Sequence, residues 1–125
     1  MSAKSEFLEY VLSDAMQGIR GVTARAMFGG YGLYKDETIF GVIADDRLYF
    51  KVDEKNLLEY KTGGSEPFTY EGKKRKMITM SYWEVPAEIL EDRERLVEWV
   101  DASVAASRRR VKGRNKVESR KRPSV

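Results

Sequence analysis

The 125-residue chain has no cysteine and no histidine, and holds only three prolines and two tryptophans. Without cysteine there can be no disulfide, no thiolate metal site and no cysteine nucleophile. Without histidine the usual general base, the imidazole metal ligand and any Ser-His-Asp triad are also excluded. No apolar run approaches the roughly 20 residues of a membrane-spanning helix. The charge-alternating start, Met1 to Tyr10, lacks the apolar stretch of a signal peptide. These absences predict a cytoplasmic, non-enzymatic protein with no cofactor, no metal and no membrane partner.

What is present suits a folded body with a separate tail. A hydrophobic content of 42% and an aromatic content of 11% are enough for one core in a chain of this length. The net charge of +3 is divided unevenly. Arg108, Arg109, Arg110, Lys112, Arg114, Lys116, Arg120, Lys121 and Arg122 face Glu118 alone, while residues 1–107 hold 19 of the 20 acidic side chains. Few apolar residues in 108–125 means little surface to bury against the entropy of ordering. The expected organisation is a body over residues 1–107 and a flexible basic arm over 108–125.

Within the body, Phe7, Leu8, Val11, Leu12, Ala15 and Met16 recur at helical spacing, predicting a helix over 5–17 with Gly18 as its stop. Strands follow over 23–28 and 31–35, with Gly29 and Gly30 supplying the turn between them. Asp36-Glu37 and Asp45-Asp46 are turns leading into 39–44 and 47–52. In the last of these, Leu48, Phe50 and Val52 share one face and Arg47, Tyr49 and Lys51 the other, the alternation of a sheet with one buried face. Asp53 caps a short helix over 54–60. A hairpin of 68–71 and 76–83 comes next, then a first helical turn opened by Pro86 and a final helix over 92–107. The predicted fold is α+β, a mostly antiparallel sheet with helices on one face in the order α-β-β-β-α-β-β-α.

Candidate sites are few. The glycines of Gly29-Gly30-Tyr31-Gly32 do not precede a helix and lack a Walker lysine, so a phosphate cradle is disfavoured and a turn is the simpler reading. Phe28, Tyr31 and Tyr34 read as core or edge packing ahead of a base-stacking platform. Arg25 reads as a sheet-face arginine paired with a body carboxylate, with a partner contact as the alternative. Asp36, Glu37, Asp45 and Asp46 have a sufficient explanation in turn chemistry and fall short of the six to eight oxygens calcium takes. Lys73, Lys74, Arg75 and Lys76 form a basic hairpin end. Joined to Arg108, Arg109, Arg110, Lys112, Arg114, Arg120, Lys121 and Arg122, they offer a phosphate-contacting surface.

Several ordered segments carry a resemblance. Arg25-x-Met27-Phe28-Gly29-Gly30-Tyr31-Gly32-Leu33-Tyr34 is followed by Phe40-Gly41, then by Asp46-Arg47-Leu48-Tyr49-Phe50-Lys51-Val52-Asp53. Pro67-Phe68-x-Tyr70, Met80-Ser81-Tyr82-Trp83-Glu84-Val85-Pro86 and Trp99 complete the series. Together they resemble the N-terminal domain of the TfoX/Sxy family, bacterial proteins linked to the regulation of natural competence. The resemblance implies a secretion-chaperone-like α+β fold, a homodimer, and regulation through protein partners such as the transcription machinery or a regulator. It brings no catalytic residues. Full-length competence regulators of that family carry a second, helical domain where this chain has its basic arm, so a stand-alone member is the expectation. Arg25, Phe28, Gly29, Gly30, Tyr31 and Tyr34 are the candidate partner-contact hairpin. Nucleic-acid binding through the arm is the alternative, and a small-ligand-binding or enzymatic domain ranks below it.

Overall fold

The computed structural model describes residues 3–27, 30–71 and 77–124. The chain opens with α1 (Ala3–Tyr10), whose end widens into a π-helical turn over Val11–Ala15. This breaks the expected continuous helix in two, and places Val11, Ala15 and Met16 in the core. Four strands follow as a meander: β1 (Val22–Met27), β2 (Gly30–Lys35), β3 (Thr38–Ala44) and β4 (Arg47–Lys51). After α2 (Leu57–Thr62) come β5 (Pro67–Glu71), β6 (Met77–Glu84), α3 (Ala87–Leu90) and α4 (Arg93–Ser124). The six strands form one antiparallel sheet in the order β1-β2-β3-β4-β6-β5. The predicted α+β class and its antiparallel sheet are therefore observed, but the element order differs: four strands and not three precede α2, and two helices, α3 and α4, close the chain.

Two turns of the meander follow from their residues. Lys35 pairs with Thr38 and Ala44 with Arg47, leaving Asp36-Glu37 and Asp45-Asp46 as two-residue connections. All four of these residues have positive φ, between 49° and 72°. Positive φ at both central positions defines the tight turn whose twist matches that of paired strands. The acidic residues thus serve the hairpins. The first hairpin differs from expectation. Met27 pairs with Gly30, so Gly30 belongs to β2 and the connection falls on residues 28–29, outside the described residues. Gly30 is needed for space: a Cβ there would lie 2.1 Å from the carbonyl oxygen of Ile43.

Register fixes which side chains share a face. Ala24, Leu33, Gly41, Phe50 and Trp83 form one cross-strand row, and Arg25, Gly32, Val42, Tyr49 and Glu84 the row beside it. Successive residues point to opposite faces, so the two rows face opposite ways. The first row faces the core, where Leu33 and Phe50 are fully buried. An extra residue in β3 opposite Leu33 and Tyr34 makes a bulge at Phe40. The bulge lets Phe40 join the core, its ring set edge-on to Phe50 at 5.5 Å between centroids.

Helix α4 covers this inner face by packing on β3 and β4. Leu96, Trp99, Val100, Ser103, Val104 and Ser107 are all buried, the stripe of a helix lying on a sheet. Trp99 meets Tyr60 of α2 at 4.4 Å between ring centroids. Ser107 reaches the sheet, its hydroxyl donating to the Ile39 carbonyl oxygen. The helix begins as expected, with Asp92 Oδ1 accepting the Arg95 amide. It does not fray at residue 107, and its helical backbone runs on to Ser124. Arg, Lys and Glu are good helix formers, and no proline intervenes before Pro123.

Candidate functional site

Among the described residues, the basic region meets the body at one well-built contact. Arg109 makes a two-pronged ion pair with Asp53, Nε to Oδ2 at 2.7 Å and an amino nitrogen to Oδ1 at 2.9 Å. Asp53 is held in place from its own side. Its carboxylate accepts the Lys55 amide, and its own amide donates to Asn56 Oδ1. Asn56 in turn donates to the Lys51 carbonyl oxygen. Asp53 therefore caps a turn over 54–56, and α2 begins at Leu57, three residues later than the helix expected from the sequence. The Arg109 guanidinium, helped by the Lys55 and Asn56 backbone and opposed by burial, holds the Asp53 carboxyl below the usual carboxylate range. The same pairing raises the pKa of Arg109.

Two grooves flank this contact. One, of about 450 Å³, lies between the β2–β3 turn and α4 and is lined by Lys35, Asp36, Asp101, Arg108 and Arg109. The other, of about 280 Å³, is lined by Lys51, Asp53, Glu54, Lys55, Arg109 and Arg110. Cations and carboxylates alternate in both, so neither has the single sign of charge that concentrates an ionic substrate. Among the described residues no three carboxylates gather to hold a metal ion, and no helix is long and apolar enough to cross a membrane.

The candidate hairpin residues separate. Tyr31 packs against the core and Gly30 is buried. Arg25 and Tyr34 stand on the opposite face, where the Arg25 guanidinium lies over the Tyr34 ring at 4.6 Å. The expected carboxylate partner of Arg25 is replaced by an aromatic one. Three strands separate Arg25 from the carboxylate in its own row, Glu84. Glu84 instead faces Arg47 at 3.5 Å.

Among the candidate nucleic-acid contacts, Arg108 and Arg110 are exposed while Arg109 is committed to Asp53. Phe28, Gly29, Lys73, Lys74 and Arg75 lie outside the described residues, as do the side chains of Lys112, Arg114, Arg120, Lys121 and Arg122. The Asp53–Arg109 pair escaped sequence reasoning because its members are 56 residues apart. Lys51 and Tyr49 left a signal, since the alternation in β4 already places both on the outer face.

Comparison with known proteins yields a consistent picture. A family model described as the TfoX N-terminal domain matches residues 14–107. The chain is also 29% identical over 91 residues to the DNA transformation protein TfoX of Haemophilus influenzae. That alignment covers 72% of this chain and 42% of the relative, so the chain spans less than half the relative's length.

Proposed function

The chain belongs to the TfoX N-terminal domain family, and from that premise we propose a non-enzymatic regulatory or adaptor role, exerted through protein partners in transcriptional or competence-related control. The match over residues 14–107, with a relative named for DNA transformation, is the observation that carries this reading. The absence of histidine and cysteine agrees with it. The reading includes a secretion-chaperone-like assembly as a homodimer in the cytoplasm, with the outer sheet face around Arg25 and Tyr34 as the contact surface. Affinity purification of the tagged chain from its own cells should recover transcription-associated proteins, and deletion should change the transcriptome. Recovery of none, with an unchanged transcriptome, refutes the role.

A second reading has support in the placement of Arg108 and Arg110, both exposed on the helix that carries the basic sequence onward. In this reading α4 binds nucleic acid by neutralising phosphates, and affinity falls steeply as salt rises. Replacing Arg108, Arg110, Lys112, Arg114, Arg120, Lys121 and Arg122 by Gln should abolish such binding. Arg109 must be spared, because removing it also breaks the contact with Asp53. Unchanged affinity in the substituted chain excludes the helix as the binding element.

A further inference from the structure

The helices leave the outer face of the sheet without a helical cover, and its side chains follow a pattern. Arg25 lies over Tyr34 at 4.6 Å, and the Lys51 ammonium lies 5.1 Å from the centroid of Tyr82. Tyr49 meets Phe68 at 4.9 Å between ring centroids, the planes tilted by 57°. Between these rings the row passes through Gly32 and Val42, where the face has little relief. Tyr34 and Tyr82 are near enough for their phenol groups to interact. Four rings and two cations thus occupy one face contributed by five strands.

We infer that this outer face is a stacking platform for single-stranded nucleic acid, distinct from the basic stretch of α4. Tyr82 is buried beneath its neighbours, while Tyr34, Tyr49 and Phe68 are partly exposed. Such partly open rings offer flat apolar surface to any base, and cations among them meet the phosphates that link successive bases. An apolar partner fits less well, because charged side chains are depleted at the centre of protein–protein interfaces, whereas here they sit against the rings. The carboxylate in this row, Glu84, has its charge offset by Arg47. Glu91, Glu94, Glu98 and Asp101 belong to α3–α4 and the segment joining them, whereas Asp45 of the β3–β4 turn is close enough to Tyr49 to raise its pKa. A duplex hides its base faces within its own stack, so a stacking surface favours single strands.

The test uses the full chain and fluorescence anisotropy with labelled oligo-dT and oligo-U of about ten nucleotides, a length within the range one small domain covers. A mixed-sequence duplex serves as the third probe. Single strands should bind more tightly than duplex, and the dT and U arms tell DNA from RNA preference. Tyr34→Leu and Tyr49→Leu should each weaken single-strand binding by about 5- to 150-fold, the range for loss of one stacked base. Tyr49→Phe should restore it, and thermal melts by circular dichroism should show each variant folded. Arg25→Gln should lower the salt slope by about 0.7, one phosphate contact on a single strand.

Equal affinity for duplex, or Tyr variants that bind as the parent does, overturns the inference and assigns any binding to α4. No single-strand binding at all also overturns it. So does a dimer, seen by light scattering, that Tyr49→Leu dissociates, since a second copy would then occupy the face. The adaptor reading is decided by purified partners and the transcriptome, so its failure is distinguishable from failure here.

Discussion

Phe50 and Tyr49 are adjacent in β4, and they divide the labour of the sheet between them. Phe50 points into the core, is fully buried and touches Phe40. Tyr49 points to the other side, half-buried, with Phe68 as its aromatic neighbour. Burial raises the Tyr49 pKa, and the Glu84 carboxylate raises it further. The inner face is a close-packed layer whose chemistry is shape. The outer face is aromatic and cationic, the chemistry that the inferred nucleic-acid contact would use. A period of two in the strand puts these two kinds of surface on alternate residues.

The sharpest test of that division is a pair of substitutions one position apart. Phe50→Ala should cost about 3–5 kcal/mol, the usual range for deleting a buried aromatic ring. Tyr49→Ala should cost only about 1 kcal/mol, since it loses a partly exposed cross-strand aromatic contact. Urea denaturation of both variants checks this. Similar losses would mean that the outer face is also structural.

Next in size is Gly30→Ala. The new methyl would press on the Ile43 carbonyl, a backbone atom that cannot rotate away. Forcing β2 and β3 apart at this point should cost about 1–3 kcal/mol, as overpacking does in a close-packed region. A melt matching the parent would show that the β1–β2 hairpin shifts freely. Such a shift would also move Arg25 and Tyr34, and blur the contrast between faces.

How much of this was legible in the sequence depended on distance along the chain. Alternation in 47–52 gave the two faces of β4, because side-chain direction in a strand is a local property. The acidic turns were legible for the same reason. Gly30 was misplaced because either of two adjacent glycines suits a turn, and register against Met27 decides between them. The inward turn of Phe40 required β2 as a ruler, since a bulge is defined only by the partner strand. Arg25 was assigned a carboxylate on composition alone, yet its row and the ring of Tyr34 determined its contact. The Asp53–Arg109 pair depends on α4 crossing β4, which no local pattern encodes.

That pair gives a smaller effect with a definite pH signature. Asp53 titrates below the ordinary carboxylate range in the folded chain. Its contribution is therefore complete above the unfolded pKa of about 4 and is lost as pH falls through the depressed folded value. Both side chains are partly exposed, at 39% for Arg109 and 26% for Asp53. Screening by water then limits the pair to about 0.5–1 kcal/mol. Arg109→Gln should remove that amount at pH 7 and progressively less as pH falls through the depressed folded value, as read from urea midpoints along an acid series. A loss that stays constant along the series would assign Arg109 a packing role.

The smallest expected effect lies in the inner face, at its one imperfection among the described residues. The hydroxyls of Tyr60 and Ser103 are both buried and close enough to interact, yet neither has a partner of good hydrogen-bond geometry. Burial pushes the Tyr60 phenol far above its ordinary pKa, with Glu59 adding to the rise and Ser103 opposing it. A raised folded pKa means that its share of stability is complete below the unfolded value of about 10 and is lost as pH rises through the folded one. Removing an unpaired buried hydroxyl relieves a desolvation cost, while the ring keeps its contact with Trp99. Tyr60→Phe should thus leave stability at pH 7 within about 0.5 kcal/mol of the parent, or raise it. It should also flatten the fall in melting temperature above pH 10. A loss above 1 kcal/mol at pH 7 would mean that the two hydroxyls are bonded in solution after all, making the inner face polar at its centre and the contrast with the outer face weaker.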